Sequence, residues 1–271
     1  MHKRRAIPNT FIGSVAYDSP NILADMGPTP MEVAILYRGG FMSRHDRQAK
    51  SMQWALGIGS QRRSLVFYRS VRFLIRALLW RWLRVRALGT ENIPQTGPVI
   101  IAPVHRSNLD APLFSGCTKR RLRALGKESL FVHPVSAWVV AALGCIPLRR
   151  GEADISAMRS ARTMLESDEM LLVFPEGSRQ TGNTVSQVFD GVTYLASKTG
   201  APIIPVGIAG TETALPTGAK FPKRTKVAIV IGAPIYAPQG RLSRQALAEF
   251  SADIGTQLQS AFTKAQTQIN S

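Results

Sequence analysis

The sequence predicts an α/β fold built on a mixed, largely parallel sheet flanked by helices. Three observations predict it. Short continuous apolar runs recur from residue 94 onward, helix-period stripes separate them, and turn residues punctuate the joins. The runs "PVIIAPV" (98–104), "MLLVF" (170–174), "PIIPVGI" (202–208) and "KVAIVIG" (226–232) have the unbroken apolar character of strands buried on both faces. A further short strand is expected in "GCIPLRRG" (144–151), between Gly144 and Gly151.

The intervening stripes read as helices. Ile155, Met158, Ala161, Met164 and Leu165 form one, and Val185, Val188, Phe189, Val192, Leu195 and Ala196 form a second that Gly200 stops. Leu247, Phe250, Ile254, Leu258 and Phe262 form a third near the end of the chain. Before this region the chain reads differently. Residues 1–60 keep no period and are broken by Pro, Gly and Ser, which predicts a loosely ordered segment, and "HKRR" (2–5) is not followed by the apolar core of a secretory signal.

Residues 61–93 form a second region. The stretch "SLVFYRSVRFLIRALLWRWLRVRAL" (64–88) carries an Arg every two to five positions, too often for a membrane span. On a helix Arg69, Arg72 and Arg76 share one face, with Leu74, Leu78, Trp80 and Trp82 available to the other. Arg81, Arg84 and Arg86 drift away, so a kink or a second short helix is expected. Cationic groups beside Trp, Phe and Leu suit a helix lying in a bilayer interface, with Arg69, Arg72, Arg76, Trp80 and Trp82 as contacts. The third region, residues 94–271, holds these strands and helices and forms one domain.

The formal net charge of +17 is uneven: residues 1–88 hold 15 Lys/Arg against 4 Asp/Glu, and residues 89–271 hold 19 against 13. Such a field draws anions of many kinds, including nucleic acid. No nucleic-acid motif accompanies it, and the arginines of 64–88 alternate with large apolar residues, so a nucleic-acid partner is not expected. A non-catalytic basic protein binding membranes or nucleic acid is the alternative from another class. The two cysteines, Cys117 and Cys145, have neither the number nor the spacing of a disulfide framework or a metal site, which favours reducing, cytosol-facing surroundings.

Sites in α/β sheets gather beyond the C-terminal ends of strands, and two polar clusters lie there. After "PVIIAPV", His105 leaves the strand, Ser107 or Asn108 can cap the next helix, and Asp110 falls in its first turn. Residues five apart diverge on a regular helix but converge across a strand-to-helix turn. A carboxylate accepting from one imidazole nitrogen fixes the tautomer and makes the other nitrogen a base, the arrangement that activates a hydroxyl. After "MLLVF", the run "PEGSRQTG" (175–182) offers Gly177 for a sharp turn, Ser178 and freed backbone N–H groups for an anion, and Arg179 as a phosphate grip. Glu176 is placed to orient a ligand hydroxyl or an Arg. Lys127 and Arg149, each next to a strand end, complete a phosphate-site set with Arg179.

His-x4-Asp, then Gly-x-Ile-Pro-Leu-x-Arg, then Phe-Pro-Glu-Gly-Ser-Arg, then Pro-Ile-x-Pro-Val, running from His105 to Val206, resembles the block order of the glycerolipid acyltransferases, which include bacterial 1-acylglycerol-3-phosphate acyltransferases. The resemblance implies transfer of a fatty acyl chain from acyl-CoA or acyl-carrier protein to the free hydroxyl of 1-acylglycerol-3-phosphate, giving phosphatidic acid. His105 would be the general base and Asp110 would orient it. Lys127, Arg149 and Arg179 would hold the acceptor phosphate; Glu176, Gly177 and Ser178 would shape the glycerol pocket. Backbone N–H groups between Gly144 and Pro147 are candidate oxyanion donors, although Pro147 has none. No metal or cofactor is expected beyond the thioester co-substrate, and the protein is expected at the cytoplasmic face of an anionic membrane, peripheral or monotopic. Three residues depart from the family pattern: Val104 stands in place of an Asn, Gln180 in place of a Ser, and Asp190 in place of a basic residue. They open the acceptor to glycerol-3-phosphate or another lysophospholipid.

Overall fold

The computed structural model describes residues 44–148, 155–238, 240 and 242–270. Its centre is a seven-stranded sheet in the order β1-β7-β6-β2-β5-β3-β4, comprising β1 (Arg86–Leu88), β2 (Val99–Pro103), β3 (Leu122–Lys127), β4 (Cys145–Leu148), β5 (Met170–Leu172), β6 (Ile203–Ala209) and β7 (Ala228–Ile231). β6, β2, β5, β3 and β4 run parallel, β7 pairs antiparallel with β6, and β1 runs parallel to β7. The mixed, largely parallel sheet follows from the continuous apolar runs, since every residue of β2 and of β6 is buried.

The helices are α1 (Arg44–Ser60), α2, α3 (Asp110–Ser115), α4 (Pro134–Ala142), α5 (Ile155–Glu166), α6 (Gly191–Thr199), α7 (Thr211–Ala214) and α8 (Arg244–Asn270). α2 runs from Arg62–Leu74 through a π-helical turn at Ile75–Leu79 into Trp80–Trp82. α8 packs on β6 and β7, α6 on α8, and α5 on α6 and β5. At Gly207 in β6 a Cβ would lie 2.2 Å from the Ala261 backbone, so the missing side chain lets α8 rest directly on the strand.

Several elements differ from expectation. Residues 44–60 are helical instead of loosely ordered: Trp54, Ala55 and Ile58 are buried with Phe131, Ala137, Ala141 and Ala142, so α1 is fixed by tertiary packing despite the lack of a sustained period. Residues 1–43, the rest of the expected loose segment, lie outside the described residues. The second stripe divides: only Gly191–Thr199 is helical, because Val185 N–H donates to the Gln259 side chain at 2.7 Å, Ser186 N–H to Glu176 Oε1 at 3.0 Å and Phe189 N–H to Pro175 O at 3.0 Å. These tertiary bonds take the place of a helix's own ladder.

The basic segment kinks, and it also turns inward. The π turn rotates the later residues, and Arg84, at φ 45°, ends the helix so that Arg86 enters β1. Arg76 Nη1 donates to Gly116 O at 2.6 Å, Arg72 Nη1 to Thr118 O, and Trp80 Nε1 to Leu113 O at 3.2 Å. These carbonyls lie at and just beyond the C-terminal end of α3, where helix carbonyls lack intrahelical partners, which is why the three side chains face the domain. Of the five expected membrane contacts, Arg69, Arg76 and Trp82 are exposed, although Arg76 also reaches Gly116 O, while Arg72 and Trp80 are half-buried. Val66, Phe73, Leu74 and Leu78 are exposed beside them. Among the described residues, no helix is long and apolar enough to cross a membrane.

Candidate active site

The parallel strands bring their C-terminal ends to one edge of the sheet. His105 leaves β2 there, Lys127 closes β3, residues 173–176 leave β5 and Thr211 follows β6. Val104 N–H donates to Val206 O at 3.0 Å, which extends the β2–β6 pairing up to the residue before His105. The Val104 side chain is buried in the apolar core. This accounts for an apolar residue at the position where an Asn was expected: the side chain points into the core, and the backbone is held by β6.

His105 and Asp110 converge. His105 Nδ1 lies 3.0 Å from Asp110 Oδ2, and the imidazole stacks on Phe174 with ring centroids 3.7 Å apart. Asp110 Oδ2 also accepts the Arg106 and Ser107 backbone N–H groups, both at 2.7 Å. Asp110 Oδ1 accepts the Thr211 hydroxyl at 2.7 Å. The carboxylate is fully buried and held by four donors, so it occupies one orientation. It also takes over the capping expected of Ser107 or Asn108, since the N-cap residue is Leu109 and makes no side-chain cap. Nδ1–H donating to Asp110 leaves the Nε2 lone pair as acceptor, and Nε2 has no hydrogen bond among the described residues.

Glu176 turns inward. Its Oε2 accepts the His105 N–H at 2.9 Å, both oxygens accept from Arg106 Nη1 at 2.9 and 3.0 Å, and Oε1 accepts the Ser186 N–H. With 1% of its surface exposed, this carboxylate clamps the β2 and β5 loops together and is not free to line a glycerol pocket. The partner Arg106 was absent from the sequence reading. Its Nη2 donates to Thr184 O at 2.9 Å and its guanidinium lies 4.8 Å from the Phe262 ring.

The rest of the 175–182 loop is exposed at Gly177, Ser178 and Arg179. Gly177 adopts φ 69°, the turn expected of it. The loop's N–H groups are largely used internally: Gly177 donates to Phe174 O, Ser178 to Glu176 O, and Gln180 to His105 O at 2.8 Å. The last bond ties the loop beside Arg179 to the histidine's own backbone, while the Gln180 side chain donates from Nε2 to Ser178 Oγ at 3.0 Å. Lys127 is exposed two strands from β2, about 10 Å along the edge. Arg149 lies outside the described residues. Gly144 N–H, expected among the oxyanion donors, donates to Ala141 O at 2.9 Å and is consumed there. Asp190 accepts the Ser251 hydroxyl at 2.8 Å and so joins the start of α6 to α8, a structural use that a basic residue would not serve. Among the described residues no cluster of His, Cys, Asp or Glu could hold a metal ion.

Beside the dyad is an apolar cavity of about 130 Å³ between α2, α3 and β3. Ala111 and Pro112, the residues after Asp110, form part of its wall with Tyr68, Ile75, Leu122 and Ala124. Tyr68 holds this wall together by accepting the Leu122 N–H at 3.1 Å.

The Acyltransferase family model matches residues 84–209, a little under half of the chain. The 1-acyl-sn-glycerol-3-phosphate acyltransferase of Pseudomonas aeruginosa is 30% identical over 159 residues, covering 57% of this chain and 60% of the relative. The chloroplastic 1-acyl-sn-glycerol-3-phosphate acyltransferase BAT2 of Brassica napus is 27% identical over 158 residues, 57% of this chain and 46% of the relative. The chain thus spans about half the length of the curated relatives it matches. The crystal structure of the 1-acyl-sn-glycerophosphate acyltransferase of Thermotoga maritima has the same fold, with a TM-score of 0.59 and 24% identity over 84% of this chain and 87% of that one. The resemblance read from the ordered blocks is borne out.

Proposed function

With residues 84–209 recognised as an acyltransferase domain, we propose that the protein is an O-acyltransferase that esterifies the free hydroxyl of 1-acylglycerol-3-phosphate, giving phosphatidic acid. The observation that carries this is the His105–Asp110 pair at 3.0 Å, with Nε2 left as the acceptor at the sheet's C-terminal edge. Nε2 takes the proton of the acceptor hydroxyl as its oxygen attacks the thioester carbonyl carbon. The tetrahedral intermediate collapses, the C–S bond breaks, and the leaving thiolate takes the proton back from His105. General-base assistance of this kind contributes about 10²–10⁴ in rate. A thioester is already activated, so the step uses no metal and no cofactor beyond the acyl-CoA or acyl-carrier-protein co-substrate.

Arg179 and Lys127 are exposed cationic groups after β5 and at the end of β3, and in this reading they bind the acceptor phosphate with Arg149. Gly177 and Ser178 line the glycerol end, while Glu176 supports the loop from beneath. The cavity beside α3 takes part of the acyl chain. Docking is at the cytoplasmic face of an anionic membrane, peripheral or monotopic. The apolar knobs Val66, Phe73, Leu74, Leu78 and Trp82 enter the interface, with Arg69 and its exposed neighbours on the headgroups. Phe73 and Leu78 are 69% and 66% exposed, more than a helix packed on its own domain needs.

The test is an acyl-transfer assay of the full chain with acyl-CoA and acyl-carrier protein against lysophosphatidate, glycerol-3-phosphate and other lysophospholipids, with and without a chelator. Lysophosphatidate is expected to give the highest kcat/KM and the chelator to change nothing. Preference for another acceptor would move the assignment to that substrate. Binding to liposomes or DNA without transfer would replace it with a non-catalytic role.

A further inference from the structure

We infer that Thr211 is a positioning residue for the transfer reaction, acting through Asp110 to fix the orientation of His105; this rests on the general-base reading above. The four donors on the Asp110 carboxylate are unevenly shared. Oδ2 takes three, from His105, Arg106 and Ser107, while among the described residues Thr211 is the one donor to Oδ1, at 2.7 Å. All three donors to Oδ2 come from the same short segment as the aspartate. Of the four donors to this carboxylate, Thr211 is the one that comes from beyond another strand, β6.

The local backbone is built to deliver that hydroxyl. Gly210 sits at φ 87°, and a Cβ there would lie 2.2 Å from Lys226 O, so only glycine permits the sharp exit from β6 into α7. Thr211 then lies fully buried beneath Asp110. A second bond keeps α7 in register, since Ser107 Oγ donates to Leu215 O at 3.0 Å. With no surface exposed at either residue, water cannot replace the hydroxyl, and its removal leaves a buried carboxylate oxygen without this donor.

The consequence has a sign. Loss of the Oδ1 donor concentrates negative charge on the His105 side, which favours the imidazolium, so the acid limb of the pH–rate profile moves to higher pH. The other charged groups near the dyad are unchanged: Arg106 and Glu176, paired with each other at 2.9 Å, Arg179 on the loop after β5, and Glu212 beside Thr211.

The test compares Thr211→Val, Thr211→Ala and Thr211→Ser with wild type, alongside His105→Ala. The Val and Ala variants are expected to lose about 10- to 100-fold in kcat. Both KM values should stay within about twofold, and the acid limb should rise by about half a pH unit. The Ser variant keeps the hydroxyl and should restore both. A folded Val or Ala variant with wild-type kcat and acid limb overturns the inference, and so does a Ser variant as impaired as Val. If His105→Ala stays active, the general-base reading fails instead; if it is inactive while Val and Ala behave as wild type, only the role of Thr211 falls.

Discussion

Glu176 Oε2 accepts the backbone N–H of His105 at 2.9 Å while the same carboxylate pairs with Arg106. The histidine is thus held from both sides: Asp110 sets its ring, and Glu176 fixes the chain that carries it. Both members of the Arg106–Glu176 pair have side chains no more than 2% exposed, so breaking it leaves a charge buried without its partner. Glu176→Ala is expected to lose about 3–5 kcal/mol of stability, measured as a lowered urea midpoint. Arg106→Met with Glu176→Met should recover part of that loss, because it removes both charges but leaves the His105 and Ser186 N–H groups without their acceptor. If Glu176→Ala unfolds at the wild-type midpoint, the clamp is not what holds the loops.

Asp110→Asn replaces the acceptor for Nδ1–H with a group that can donate, which disfavours the tautomer the reaction needs. A fall in kcat of about 10²–10⁴ with little change in KM is expected from steady-state kinetics. A variant altered in KM alone would place Asp110 in substrate binding.

How much of this was legible in the sequence depends on where each partner sits. His105 and Asp110 share one strand-to-helix turn, so their spacing could be read. Thr211 is 101 residues beyond Asp110 and reaches it only because β6 pairs with β2, which no local pattern reveals. The signal available was Gly-Thr directly after an apolar strand. Glu176 is found by its motif as a group that orients a ligand hydroxyl or an Arg; the structure gives it an Arg, but the sequence does not say that the Arg is Arg106, 70 residues earlier. The helical segment misleads in the same way: the regular spacing of Arg72 and Arg76 suggests contacts at a bilayer interface, while in the structure they donate to carbonyls around the end of α3. β1 carries no strand signal because Arg interrupts its short run, and β3 shows only its end, beside Lys127; Arg123 in β3 is buried against Glu169 at 2.6 Å.

That inward turn separates two classes of variant in α2. Phe73→Glu and Leu78→Glu should weaken binding to anionic liposomes by roughly tenfold or more while leaving the melting temperature unchanged. Arg76→Ala should instead lower stability by about 1–3 kcal/mol, since it strips a carbonyl of its charged donor. Equal liposome binding by the Glu variants would remove α2 from the membrane interface.

The cavity beside α3 makes a prediction about chain length. Ala124→Phe fills space in its wall, so it should shift the acyl preference toward shorter chains in a competition assay with mixed acyl-CoAs. An unchanged product profile would locate the chain elsewhere.

Burial pushes the Cys117 thiol up to about 12 and the Cys145 thiol up to about 11, with nearby Arg76 and Arg121 pulling only partly the other way. Both thiols should therefore resist iodoacetamide at pH 8 until the protein is unfolded. Because unfolded thiols ionise near about 8.5, the stability these groups contribute is full below that pH and is lost as pH rises toward the folded values. A urea midpoint that rises between pH 8.5 and 10 would contradict this sign.

The central claim is that His105 is the base. It is tested most directly by the kcat of full-length His105→Ala in acyl transfer to lysophosphatidate, with the folded state checked by circular dichroism. Loss of about 10²-fold or more in a folded variant is the expected result; a kcat equal to wild type would contradict the account.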